Sequence, residues 1–131
     1  MTGLTPYLSF PGTAREALTF YQGVFGGELV LHTLADFQRD DGPADAIAHG
    51  MLQGPVELFG ADAGPDDSPM RLEGVLFSLL GTAEPGTLEA WFAALGDGGR
   101  DVDPLQLRPW GAHDGQVTDR FGVRWLVGYE D

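Results

Sequence analysis

Two apolar periodicities alternate along the chain, and the alternation occurs twice. Leu8 and Phe10 flank Ser9 in a short extended pattern that ends at Pro11-Gly12. Ala17, Leu18, Tyr21, Val24 and Phe25 then recur at helical spacing, which predicts an amphipathic helix with one stripe turned to a core. Thr13 followed by Glu16 reads as a Thr-x-x-Glu capping box, whose two side chains are expected to satisfy exposed amides at the helix start. Gly26-Gly27 supplies a left-handed stop. Extended-favouring segments follow from Glu28 to Leu34 and from Ala46 to Gln53, and Gly54-Pro55 reverses the chain into Val56 to Gly60.

The second half repeats this order. Leu8-Ser9-Phe10-Pro11-Gly12-Thr13-Ala14 is echoed at an offset of 69 residues by Phe77-Ser78-Leu79-Leu80-Gly81-Thr82-Ala83. Pro85 suits a first helical turn. Leu88, Trp91, Phe92 and Leu95 fall at i, i+3, i+4 and i+7, a buried helical face, before the stops at Gly96, Gly98 and Gly99. Asp101 to Pro109 reads as an edge strand or a loop because of Pro104 and Pro109. Asp119-Arg120-Phe121-Gly122 fits a type I turn, and Val123, Trp125 and Val127 alternate with Arg124 and Leu126 beyond it. The pattern predicts an α+β fold of two βαβββ modules, about residues 4–62 and 73–130, within a single domain spanning residues 1–131.

Composition narrows the function classes. At 131 residues and 43% apolar, the chain can bury a core. Twenty acids stand against seven arginines and no lysine, a net charge of -13. A field of that sign repels phosphate backbones and anionic lipid, and the arginines are scattered, so neither nucleic acid nor a membrane is an expected partner. No apolar run approaches the ~20 residues of a membrane helix. Met1 to Pro6 has no basic stretch leading into an apolar one, so no signal peptide is expected. The absence of cysteine excludes disulfides, thiolate nucleophiles and cysteine metal sites; the expected location is the cytoplasm. The acidic stretches Asp36 to Asp45 and Asp62 to Glu73 lack EF-hand spacing and read as solvated loops. No serine stands in a nucleophile elbow.

At this point the letters resemble a known family. Pro6-Tyr7-Leu8-Ser9-Phe10, Glu16-Ala17-Leu18, Phe20-Tyr21 and Val24-Phe25-Gly26-Gly27-Glu28 are similar to the opening of PhnB-like proteins. His49, Leu58-Phe59, Trp110-Gly111-Ala112, Gly115 and Val117 to Trp125 continue the likeness to the close. These proteins belong to the vicinal oxygen chelate superfamily of glyoxalases, bleomycin resistance proteins and extradiol dioxygenases. The resemblance implies paired βαβββ modules forming a cupped mixed sheet, helices packed outside, a ligand pocket, and a homodimer. It gives no reason to infer methyl transfer, since no glycine-rich nucleotide loop follows a strand.

Catalytic members of that superfamily bind a divalent metal through His and Glu side chains. Carried onto this chain, the ligand positions fall near Pro6, at His49, within Gly74 to Phe77, and near Leu126. Only His49 offers a donor, so no metal site and no cofactor are expected. His49 itself reads either as a structural histidine or as one that contacts ligand or transfers a proton. Tyr7, Phe59, Trp110 and Trp125 are candidates for an aromatic wall, with core packing the competing reading for Phe59 and Trp125. His113, in the loop Gly111 to Gly115, is solvated or sits at the pocket mouth. His32 reads as structural or surface. Arg124 is expected to pair with an acid such as Asp119 or Glu57, or to meet a ligand carboxylate. The expected ligand-binding set is therefore His49, Trp110, Tyr7, Phe59 and His113, with no catalytic residue assigned. The expected function is binding of a small organic molecule, aromatic ones included. The alternatives are a metal-dependent lyase, isomerase or dioxygenase, and a scaffold for a protein partner.

Overall fold

Residues 3–130 are described by the computed structural model. They fall into two units, the division lying between Met70 and Arg71. The first unit contains β1 (Tyr7–Phe10), α1 (Ala14–Phe25), β2 (Glu28–Thr33), one turn of 3-10 helix (Ala35–Phe37), β3 (Ile47–Gln53) and β4 (Leu58–Asp62). Its sheet has the order β1-β4-β3-β2, with β1 and β4 parallel and the other pairs antiparallel. Four of the five stripe residues of α1, Ala17, Leu18, Tyr21 and Phe25, are buried together with Ala14 and with Leu8, Phe10, Leu52 and Leu58 of the sheet, while Val24 is half-buried. Each leucine and phenylalanine among them contributes about 1.5–3 kcal/mol on burial. Gly50, paired with Gly60 across β3 and β4, leaves room for the helix: a Cβ on Gly50 would stand 2.5 Å from Leu18 Cδ1.

The capping box does not form. Thr13 is the N-cap, but its side chain makes no capping hydrogen bond. The amide of Ala14 instead donates to Asp62 Oδ1 at 2.9 Å, and Asp62 Oδ2 accepts from the amide of Ile47 at 2.9 Å. A carboxylate at a helix start satisfies an orphan amide and favours the helix dipole. Here it comes from the end of β4, so no local pattern announces it.

The second unit contains β5 (Phe77–Leu80), α2 (Pro85–Leu95), β6 (Arg100–Leu107), β7 (Ala112–Thr118) and β8 (Arg124–Glu130). Its sheet has the order β5-β8-β7-β6, again with the first pair parallel. Element order and strand order thus match those of the first unit. The segment left open between strand and loop is β6, an edge strand that carries Pro104 and two register shifts. Leu88, Trp91 and Leu95 of α2 are buried, as are Leu79, Val117, Trp125 and Val127 of the sheet.

Two expectations for this unit are corrected. His113 lies on β7 rather than in a loop. Its ring stacks on Tyr129 of β8, with centroids 4.6 Å apart. Arg124 does not pair with Asp119 of its own unit. It donates from Nε to Gln116 Oε1 and from Nη1 to Thr118 Oγ1 and the Asp101 carbonyl. Asp119 is fully buried and occupied elsewhere. Its Oδ1 accepts from the amides of Phe121 and Val123, and its Oδ2 from Trp125 Nε1 at 2.8 Å.

Candidate functional site: an imidazole and aromatic ladder

Alternation along a strand sends successive side chains to opposite faces. With Leu8 and Leu58 buried under α1, Tyr7 and Phe59 stand on the other face of the first sheet; Tyr7 is 53% exposed. Tyr7 is the register partner of Phe59 across the parallel pair, and His32 faces His49 across β2 and β3. Four rings follow one another here. Phe37 stacks on His32 at 5.2 Å, His32 on His49 at 6.4 Å with an interplanar angle of 3°, and His49 on Tyr7 at 5.6 Å. Phe59 meets His49 edge-on at 6.0 Å.

The centre of this ladder is a hydrogen bond of 2.9 Å between Tyr7 Oη and His49 Nδ1. Partial burial raises the Tyr7 phenol above its ordinary value, so it is a neutral hydroxyl near neutral pH. When Tyr7 donates, the imidazole proton sits on Nε2 and that nitrogen is a donor. In the other tautomer Nδ1 donates and Nε2 is a base. Either way Nδ1 is engaged and the ring is oriented, and Nε2 remains for a ligand. The arrangement can stack a planar molecule, hydrogen-bond one polar atom, and move one proton.

Tyr7, His49 and Phe59, three of the candidate ligand-binding residues, lie together in this ladder. The ring of His32, which the sequence gives as structural or surface, extends it. The signal for it is the cross-strand register, which the intervening loop of residues 34–46 hides from a reading of sequence alone. Trp110 and His113 share a different surface, in the second unit. A groove of about 540 Å³ there is lined by Leu80, Trp110, His113, Asp114, Tyr129 and Glu130, among others, and Trp110 is 72% exposed. Trp125 belongs to the core.

The donor set does not fit the metal centre implied by the family resemblance. Pro6 and Leu126 have no side-chain donor, and neither does any residue from Gly74 to Phe77. Among the described residues no three His, Asp or Glu side chains converge. His32 and His49 would supply two imidazoles, short of the three or four donors such a site needs.

Comparison with known proteins agrees with the topology. Residues 3–127 match the model of the glyoxalase/bleomycin resistance protein/dioxygenase superfamily. Protein PA1353 from Pseudomonas aeruginosa is 34% identical, with 99% of this chain and 98% of that one covered and a TM-score of 0.78. Protein YjdN of Escherichia coli (strain K12) is 28% identical over 95% of this chain and 92% of its own length. The PhnB protein from Bacillus cereus, described as a 3-demethylubiquinone-9 3-methyltransferase, has a TM-score of 0.76 with 98% and 99% of the two chains covered. At 19% identity, that last likeness shows the fold alone.

Proposed function

Because this chain belongs to the glyoxalase/bleomycin resistance protein/dioxygenase superfamily, we propose that it binds a small planar organic molecule on the open face of the first unit's sheet. The observation that carries this reading is the ladder itself. An imidazole fixed by Tyr7, flanked by Phe59 and His32, presents stacking surface together with one unspent nitrogen. Aromatic pairs of this kind add about 0.5–1.5 kcal/mol beyond area burial. Trp110 and His113 are further contacts in the proposal, offered by their own groove. A cytoplasmic setting belongs to the same reading.

A thermal-shift screen of phenols and heteroaromatic compounds tests it. At least one compound is expected to raise the midpoint of the wild type, and His49→Ala is expected to weaken that compound about tenfold, the sum of a stack and a hydrogen bond. If neither His49→Ala nor Trp110→Ala weakens any compound that shifts the wild type, the reading fails.

The proposal also includes binding without the superfamily's metal, and a symmetric pair. In support of the pair, β6 is an uncovered sheet edge carrying exposed Val102 and Leu107. Native mass spectrometry of protein purified without added ions reads both claims. The expected species has twice the 14.0 kDa of one chain and no added mass of a metal ion. One Zn, Ni, Mn or Fe per chain would favour a metal-dependent lyase, isomerase or dioxygenase instead.

A further inference from the structure

Arginines in this acidic chain are mostly neutralised where they stand. Arg39 pairs with Asp41, Arg71 with Glu73, Arg100 with Asp101, Arg108 with Asp103 and Asp114, and Arg120 with Asp97. Among the described residues only Arg15 and Arg124 lack a carboxylate partner. Arg15 makes one long contact at the surface, 3.4 Å to the Asp45 carbonyl. Arg124 is held by three hydrogen bonds, all to uncharged oxygens: Gln116 Oε1 at 3.1 Å, Asp101 O at 3.0 Å and Thr118 Oγ1 at 2.9 Å. Those bonds use Nε and Nη1, and Nη2 makes none among the described residues. A partly buried guanidinium that is fixed in place, keeps its charge and retains an unspent donor is a preorganised receptor for an anion.

The surroundings specify which anion. Arg124 lines a groove of about 470 Å³ with Arg100, Thr118, Leu72, Val75 and Leu76, among others. Val75 and Leu76 are 45% and 39% exposed, large apolar side chains beside a cation. The charged residues lining the groove are Arg124, Arg100 and Asp101, whose carboxylate stands 3.8 Å from Arg100, so two guanidiniums face one carboxylate and the local balance is positive in a chain of net charge -13. We propose that this groove of the second unit binds a monocarboxylate bearing an apolar tail, with Arg124 Nη2 on the carboxylate and Val75 and Leu76 on the tail. The site is separate in its residues from the ladder of the first unit and stands independently of it.

The probe is 4-phenylbutyrate, set against its neutral amide, 4-phenylbutanamide. Binding is followed by isothermal titration and by the side-chain Nε–H resonance of Arg124 in a nitrogen–proton correlation spectrum. The acid is expected to shift that resonance saturably, and the amide to bind about tenfold more weakly or less, because charge-assisted bonds to the guanidinium are lost. Arg124→Gln should show the same loss. Since Arg124 also braces β6 to β7 and β8, Val75→Asp is the companion variant: it puts a carboxylate in the groove, leaves the brace intact, and should lose tenfold as well. His49→Ala should bind the acid as the wild type does. The proposal is overturned by no saturable shift with the acid, by equal binding of the amide, by wild-type affinity in Val75→Asp, or by loss in His49→Ala.

Discussion

Asp119→Ala is expected to lower the unfolding midpoint by roughly 10 °C or more. Asp119 has no exposed surface, and its two oxygens accept the amides of Phe121 and Val123 and the indole N–H of Trp125. Removing it takes this acceptor from three donors, one of them on Trp125, the largest fully buried side chain among the described residues. Each orphaned group costs about 1–3 kcal/mol, so a loss of about 4 kcal/mol is reasonable. Asp119→Asn separates the turn from the tryptophan. The amide oxygen can still cap the turn, but its NH₂ then faces Trp125 Nε1, donor against donor. The asparagine variant should recover about half of the loss and move the indole N–H resonance. A midpoint within 2 °C of wild type for the alanine variant would show that the network contributes little.

Gly115→Ala is expected to release β6. Gly115 is buried in the middle of β7, opposite the bulged part of β6. A Cβ there would lie 2.6 Å from Leu105 N, 2.7 Å from Leu105 Cα and 2.8 Å from the Asp103 carbonyl. These are backbone atoms, so no rotamer change relieves the clash, and the edge strand itself must move. Hydrogen exchange should report loss of protection across Arg100–Leu107 by about 100-fold, corresponding to about 2.7 kcal/mol, while β5 and β8 retain theirs. Gly23→Ala is the matched control. Gly23 is exposed on α1, an added Cβ meets nothing within 4 Å, and the change should stabilise by up to about 1 kcal/mol. Equal exchange in wild type and Gly115→Ala would remove the close approach as a cause.

Much of the fold is legible in the residue pattern because its signals are local. The stripe Ala17, Leu18, Tyr21, Val24, Phe25 and the stripe Leu88, Trp91, Phe92, Leu95 are each periodic within one helix, and all but the half-buried Val24 and Phe92 are buried. The repeated strand-helix-strands order needs only element types. Failures occur where a polar group has a competing partner that the pattern does not rank. Thr13 and Glu16 have the spacing of a capping box, but Thr13 makes no capping bond and the carboxylate of Asp62 takes the amide of Ala14 instead. Arg124 and Asp119 are five residues apart, yet the turn and Trp125 claim the carboxylate. The site divides the same way. His49 is a candidate by alternation on its own strand and Tyr7 and Phe59 by their aromatic rings, whereas His32 joins them through a register no single strand reveals. His113 looked solvated among glycines because Gly115, a close-approach glycine within a strand, resembles a loop residue in sequence.

The reach of Asp62 bears on how the first unit assembles. Its carboxylate serves the amide of Ala14, 48 positions earlier, and that of Ile47, 15 positions earlier. Helix α1 therefore has no complete start until β4 has been made and threaded beside β1. A nascent chain stopped before Leu58 holds a helix with an open end and a sheet without its central bridge between β1 and β3. Two bonds spanning 48 and 15 positions thus close this half late, and long-range closures of this kind slow folding.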